Sequence, residues 1–278
     1  MPAALARESK ELLAGLKLNT VCAKARCPNL NRCFNNRELT FIILGDACTR
    51  NCRFCAVEKA VGRSLSVDET EPERVAEAVS RIGLDYAVVT SVTRDDLSDG
   101  GAGYFVRTIK AIRSLNNKAG VEVLTPDFQG RPSAVKAIID ALPQVFGHNL
   151  ETVKRLTPEL RPQADYRRSL DVLRLAKKYN RQLVTKSSVM LGLGESKAEV
   201  IAAMRDLKSV DCDIIVLGQY LAPSPLHYPV KEFVRPEQFL NYRDIALSLG
   251  FKAASSAPLA RSSYEAKHLY EGAVKCMM

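Results

Sequence analysis

Leu39-Thr40-Phe41-Ile42-Ile43-Leu44-Gly45-Asp46-Ala47-Cys48-Thr49-Arg50-Asn51-Cys52-Arg53-Phe54-Cys55 is the stretch that decides the fold. Residues 39–44 are rich in β-branched, aromatic and other apolar side chains, the composition of a buried strand, and Gly45-Asp46 ends the run in a turn. The strand therefore delivers Cys48, Cys52 and Cys55 to a loop. Their C-x3-C-x2-C spacing lets one loop wrap a compact iron cluster, and three thiolates leave one iron of a four-iron cluster without a protein ligand. A zinc knuckle is the competing reading.

On the N-terminal side lies a second, differently spaced triplet, Cys22-x4-Cys27-x5-Cys33, so six of the eight cysteines fall between residues 22 and 55. With only three histidines in the chain, His-rich zinc chemistry is short of ligands. The first residues lack a basic stretch followed by an apolar core, and no apolar run approaches the roughly 18 residues needed to span a bilayer. The expectation is a soluble, cytoplasmic protein in which clustered cysteines bind metal rather than form disulfides. The first triplet then reads as half of a zinc site or as a second iron–sulfur cluster. Its fourth ligand would be Cys212, Cys276, an oxygen ligand or an exogenous molecule.

On the C-terminal side, helical and strand-like segments alternate. Thr70-Glu71-Pro72-Glu73 reads as a capping box opening a helix with Val75, Ala76, Val79 and Ile82 on one face. Strands are expected at 86–91, 121–125, 145–148, 182–191 and 213–218, with helices at 105–115, 134–142, 166–179 and from Ser196 between them. A proline-rich loop, a helix from Pro236 and a short strand near Phe251 complete the pattern. Six βα units are too few for a closed eight-stranded barrel. The expected class is α/β, a partial (β/α)6 TIM-type barrel over residues 38–250, with an N-terminal extension (1–37) and a C-terminal one (251–278). With 46% hydrophobic and 26% charged residues, the 278-residue chain has the apolar content for such a core.

The second triplet, with an aromatic residue, Phe54, before its last cysteine, resembles the signature of the radical S-adenosylmethionine (SAM) superfamily. Taken with the first triplet and Arg261-Ser262-Ser263-Tyr264, the chain resembles the lipoyl synthase family from about Val21 to Ala266. The segments Thr90 to Gly101, Gly147 to Val153, Thr185 to Glu195 and Leu217 to Leu221 strengthen the likeness. Phe34 and Thr93 depart from it, standing where the family pattern has Trp and Asp.

The resemblance implies two [4Fe-4S] clusters and S-adenosylmethionine as cosubstrate. Cys48, Cys52 and Cys55 would hold the cluster that cleaves S-adenosylmethionine to a 5′-deoxyadenosyl radical. Cys22, Cys27 and Cys33 would hold an auxiliary cluster, with Ser263, or alternatively Ser262, as its fourth ligand. That cluster would be consumed as the sulfur donor, at C6 and C8 of an octanoyl group on a lipoyl-carrier protein. The carrier would be the glycine-cleavage H protein or a 2-oxoacid dehydrogenase lipoyl domain, and the reductant a ferredoxin or flavodoxin. Another radical SAM sulfur-transferase and a non-catalytic iron–sulfur or zinc-binding protein are the alternatives.

Other candidates are weaker. Gly192 and Gly194 match a region that contacts the adenosine portion of S-adenosylmethionine in the superfamily, or simply form a turn. Asn149, Glu151 and Lys186 could contact its amino acid, ribose or carboxylate, or be satisfied strand-end groups, and His148 could aid substrate binding. Asp95, Asp96 and Asp99 read as a solvated turn and helix cap rather than a metal site. Cys212 reads as a structural thiol and Cys276 as a frayed surface one. Arg167, Arg168, Arg174, Lys177 and Lys178 read as a solvated face. The formal charge of +9 falls to about +7 if each three-thiolate cluster contributes −1. No aromatic-basic motif accompanies that charge, so it points to an acidic protein partner, not to nucleic acid or a membrane.

Overall fold

The computed structural model describes residues 2–25, 27–62 and 65–277. They form two compact units, Met1–Arg50 with Ala56–Pro143, and Asn51–Cys55 with Gln144–Met278. The first unit opens with helix α1 (Pro2–Gly15), strand β1 (Asn19–Thr20) and two short helices, α2 (Val21–Lys24) and α3 (Leu30–Asn35). Strand β2 (Thr40–Ile43) is the apolar run of the opening motif, with all four residues buried. β1 pairs antiparallel with it, Asn19 opposite Ile42 and Thr20 opposite Phe41, which docks the first cysteine triplet against β2.

The cysteine segment is more regular at its start than a plain loop. Ala47–Cys48 forms β3, paired in parallel with β4 (Glu58–Lys59), and the Ala60 N–H donates to the Cys48 carbonyl at 2.8 Å. Closing the segment on itself satisfies backbone groups that a loop would leave to water.

Helix α4 (Glu71–Ile82) buries Val75, Ala76, Val79 and Ile82 as the periodicity requires. Each valine so buried contributes about 1.5–3 kcal/mol. The expected capping box does not form. Thr70 is in a helical conformation and its hydroxyl donates to Asp68 Oδ1 at 2.7 Å, while Glu71 accepts the Leu44 N–H at 2.6 Å. A box pairs an extended N-cap residue with the residue three on, here Thr70 with Glu73, and the Thr70 N–H and hydroxyl are both taken by Asp68 instead. Strands β5 (Tyr86–Ser91) and β6 (Gly120–Leu124), with helices α5 (Ala102–Leu115) and α6 (Pro132–Asp140), complete the unit. Its strand order is β1-β2-β5-β6, with β2, β5 and β6 parallel.

The second unit carries β7 (Val145–Gly147), α7 (Thr157–Leu160), α8 (Tyr166–Tyr179), β8 (Val184–Leu191), α9 (Lys197–Lys208), β9 (Ile214–Gln219), α10 (Pro236–Ser248), β10 (Ala253–Ala257) and α11 (Ala266–Lys275). Its four strands are parallel in the order β7-β8-β9-β10. Here the capping box does form: Ser196 accepts the Glu199 N–H and Glu199 reaches back to the Ser196 N–H. Leu269 and Ala273 of α11 pack with Val145, Val184, Ile214 and Val216.

Lys177 corrects the expectation of a solvated basic face on α8. It is 9% exposed, donates to the Leu183 carbonyl at 2.8 Å and pairs with Asp213, which also binds Lys252 at 2.6 Å. Burial alone would raise the Asp213 pKa, but the hydrogen bonds from the two lysines hold its carboxyl below the usual range. Cys212 is fully buried beside it, its thiol donating to the Ile214 carbonyl at 3.4 Å and pushed up to about 12, chiefly by burial. Cys276 is exposed just past α11. Among the described residues no helix is long and apolar enough to cross a membrane.

Candidate functional site

In the first unit, Cys22 sits on α2, Cys27 in the following turn and Cys33 on α3. Thr20 caps α2 by accepting the Ala23 N–H at 3.3 Å, and the chain re-forms on itself through Cys27 N–H to Cys22 carbonyl at 3.1 Å. Both helices are too short to persist alone, so their tie to β2 holds the thiols in place. Cys22 and Cys33 are each 7% exposed. Burial, then the charge of Cys27, pushes the Cys22 thiol up to about 11. Burial, then Cys22, Glu38 and Cys27, pushes Cys33 up to about 12. Cys22 thus feels the charge of Cys27, and Cys33 feels both Cys22 and Cys27, so the three side chains lie near one another.

Cys48 is half-buried at the end of β3, and its Sγ accepts the Arg50 N–H at 3.4 Å. The backbone either side of it is tied down. Thr49 donates to the Thr93 carbonyl through its N–H and its hydroxyl, both at 3.0 Å, and accepts the Asp95 N–H at 3.0 Å. Arg94, 1% exposed, binds Asp96 at 2.7 Å and also reaches the Leu44 carbonyl at 3.5 Å. Asp99 accepts the Gly101 and Gly103 N–H groups at 2.8 and 2.7 Å, capping α5. The three aspartates thus serve ion pairs and a cap.

In the second unit, Cys52, Phe54 and Cys55 are half-buried in a turn closed by Cys55 N–H to Cys52 carbonyl at 3.2 Å. The Arg53 N–H donates to the Leu160 carbonyl at 2.9 Å, and its carbonyl accepts the Tyr228 N–H at 2.9 Å. Its guanidinium binds Glu159 at 3.1 Å and lies 5.2 Å from the Tyr228 ring centroid. No disulfide joins any of the eight cysteines. Among the described residues no three His, Cys, Asp or Glu side chains converge on a single-ion site.

Residues 147–151 run beside β8, which brings Asn149, Glu151 and Lys186 together. The His148 N–H meets the Lys186 carbonyl at 3.0 Å, and the Glu151 N–H meets Ser188 at 2.9 Å. Asn149 donates to Glu151 at 3.1 Å, yet its own Oδ1 is buried without a partner among the described residues. Burial raises the Glu151 carboxyl pKa against the opposing pull of Arg161, and Glu151 holds a left-handed φ of 67°. An unpartnered buried amide oxygen beside a carboxyl that resists ionisation is a place for a polar ligand. Lys186 is 1% exposed.

Gly192 and Gly194 have φ of 92° and 103°. A Cβ on Gly192 would lie 2.3 Å from both Gln219 Nε2 and the Glu232 carbonyl oxygen, so only glycine fits there. The turn wraps the Glu195 carboxylate, which accepts the Gly192 and Leu193 N–H groups at 2.6 and 2.9 Å. Ser262 and Ser263 lie half-buried in the turn before α11. Arg261 shapes that turn by donating to the Ala260 and Pro258 carbonyls at 2.7 and 3.2 Å.

Residues 42–207 match the Radical SAM superfamily. A lipoyl synthase of Caldicellulosiruptor saccharolyticus is 52% identical over 257 residues, 92% of this chain and 90% of that one. A lipoyl synthase of Caldanaerobacter subterraneus subsp. tengcongensis is 53% identical over 254 residues, 91% of this chain and 88% of that one. The chain belongs to the lipoyl synthase family.

Two solved structures share its fold at low identity. Streptococcus suis SuiB bound to S-adenosylmethionine aligns with a TM-score of 0.60 at 12% identity, over 85% of this chain and 57% of that one. Methylornithine synthase aligns at 0.56 and 14%, over 89% and 82%. The expected α/β partial-barrel class is borne out, with a mostly parallel sheet. Strand–helix units start at β2, β5, β6, β7, β8 and β9, and β10 with α11 adds a further one among the described residues. Lipoyl synthase membership brings S-adenosylmethionine and two [4Fe-4S] clusters as cofactors. The donor set of the first triplet suits such a group, because three free cysteines near one another offer soft sulfur ligands to iron, and the cations of a cluster core would favour the thiolates that burial disfavours at Cys22 and Cys33. Arg50 and Asp127, described below, are residues that sequence reasoning passed over.

Proposed function

We infer that the protein makes the lipoyl cofactor by inserting two sulfur atoms at C6 and C8 of an octanoyl group carried on a protein. The observation that carries this reading is the presence, in a chain of this family, of two cysteine triplets built differently: one with Cys22 and Cys33 buried on short helices and Cys27 half-buried between them, one half-exposed on a pinned segment. When bound, the cluster at Cys48, Cys52 and Cys55 supplies the 5′-deoxyadenosyl radical from S-adenosylmethionine, and the cluster at Cys22, Cys27 and Cys33 supplies the sulfur.

The residues of the chain bind and orient. Ser263, with Ser262 as the alternative, completes the first triplet's ligand set through a hydroxyl, a weaker and more exchangeable donor than a thiolate. Asn149, Glu151 and Lys186, with the Gly192–Gly194 turn, receive the polar parts of S-adenosylmethionine, and Phe54 packs at the cysteine turn. The buried Asn149 Oδ1 supports this, because it has acceptor capacity to offer. Residues 38–250 form the radical unit, while 1–37 and 251–278 carry the auxiliary ligands.

The carrier is the glycine-cleavage H protein or a 2-oxoacid dehydrogenase lipoyl domain, and a ferredoxin or flavodoxin supplies electrons, in the cytoplasm. The net charge of +9 favours encounter with an acidic carrier, so rising salt should slow it. The test is anaerobic incubation with reductant, S-adenosylmethionine and an octanoylated carrier, followed by mass spectrometry. Two added sulfurs support the reading; methylthiolated product, or colourless protein with two zinc ions, rejects it.

A further inference from the structure

The turn after Cys48 is held by a clamp that ligand binding alone does not require. Arg50 is 4% exposed. Its guanidinium binds Asp95 through two bonds of 2.7 and 2.9 Å and Asp127 through one of 2.5 Å, and Asp127 is fully buried. Asp95 is partly exposed, but the Arg50–Asp127 pair is out of water, an expensive way to fill a core.

The backbone that presents Asp127 is itself strained. Phe128 and Gln129 adopt left-handed φ of 47° and 53°, with Gly130 following at 76°. Consecutive left-handed non-glycine residues persist only where packing over-determines them, and such strain clusters at functional sites. The packing is visible. Phe128 is 1% exposed and edge-on to Phe105 with ring centroids 6.3 Å apart, and a Cβ on Gly100 would come to 3.0 Å from Phe128 Cδ1. Asp127 Oδ1 is further fixed by the Gln129 N–H at 3.0 Å.

At the other end of the clamp, the Arg50 backbone N–H rests on Cys48 Sγ at 3.4 Å. We propose that Arg50 is a positioning residue: clamped by Asp95 and Asp127, it fixes the turn that aims Cys48 and keeps its own N–H on that sulfur. Hydrogen bonds to ligand sulfur make an iron–sulfur cluster easier to reduce, and outer-shell anchors govern how firmly the metal is held. The clamp therefore acts on the electron that starts the reaction. This rests on the reading that Cys48, Cys52 and Cys55 hold the radical-generating cluster.

The test is a potential titration of the reconstituted full-length protein, following the electron paramagnetic resonance signal that S-adenosylmethionine perturbs. Arg50→Lys keeps the charge but loses the fork, so its midpoint potential should fall and chelator should strip iron about tenfold faster. Asp127→Asn keeps the shape and an acceptor but removes one negative charge, so its midpoint should rise. Hydrogen exchange of residues 46–50 in the metal-free protein should quicken in Arg50→Lys and change little in Asp127→Asn. Opposite shifts in variants whose overall unfolding matches wild type establish the positioning role. Unchanged midpoints and unchanged exchange would reduce the clamp to an ordinary buried ion pair. A wild type without that signal would overturn the cluster reading itself.

Discussion

The two cysteine triplets use the same residue type in opposite surroundings. Cys22 and Cys33 are buried on helices of four and six residues, and their thiols are pushed up to about 11 and about 12. Cys48, Cys52 and Cys55 are half-exposed, on a turn tied by backbone bonds to Thr93 and Leu160 and by side-chain bonds from Arg50 and Arg53. Two thiols of the first set hold their protons strongly because they are buried. The other set is pre-shaped by the protein. The difference suits a cluster that is spent and a cluster that is kept.

The largest expected effect separates the two by deletion. Cys52→Ala should abolish both 5′-deoxyadenosine and lipoyl product, while Cys27→Ala should lose lipoyl product, keep 5′-deoxyadenosine and fall from about eight irons to about four. Chromatographic assay of both products with an iron count checks this, and lipoyl product from Cys27→Ala would erase the distinction.

Next in size is the thiol chemistry of the metal-free protein. Raising Cys22 from 9.0 to about 11 leaves about a hundredfold less thiolate near pH 8, and Cys33 less still. The thiolate fraction grows as pH rises towards those values, so iodoacetamide should label both cysteines slowly at pH 8 and progressively faster above it. Peptide mass spectrometry reads each site, and fast labelling of Cys22 at pH 8 would contradict the buried description.

Metal removal should sharpen the contrast structurally. Chelation should loosen residues 21–36, where short helices tied to β2 would gain further support from ligation, and leave residues 44–50 protected, by about tenfold in relative hydrogen exchange, since each 1.4 kcal/mol of lost local stability is one factor of ten. Equal loosening in both segments would show that neither is pre-shaped.

The smallest effect belongs to the third kind of cysteine. Cys212 is buried and hydrogen-bonded to backbone carbonyls, so Cys212→Ala should cost about 1 kcal/mol in denaturant unfolding and leave iron content and activity unchanged. Loss of four irons in that variant would move it into the ligand set.

Much of this was legible before the structure. Strand 86–91 and helix 166–179 are legible to the residue, because β-branched runs and a four-turn amphipathic pattern are local signals. The cysteine spacing located both triplets for the same reason. Helices α2 and α3 escaped because four to six residues carry no readable period, and α1 because its apolar face is weak. Thr70 misleads because a capping motif cannot reveal that Asp68 takes its N–H and hydroxyl. Arg50 and Asp127 escaped because a bond spanning 77 positions leaves no trace in spacing. Lys177 joined a basic run in sequence, and only the fold turned it inward to Asp213.

The central claim is that sulfur leaves the cluster at Cys22, Cys27 and Cys33 for the octanoyl chain. The most direct measurement is a single turnover of protein reconstituted with heavy-isotope sulfide, in medium containing only light sulfur, with the carrier's mass read afterwards. The account predicts two heavy sulfurs in the wild-type product and none from Cys27→Ala; a product carrying light sulfur would contradict it.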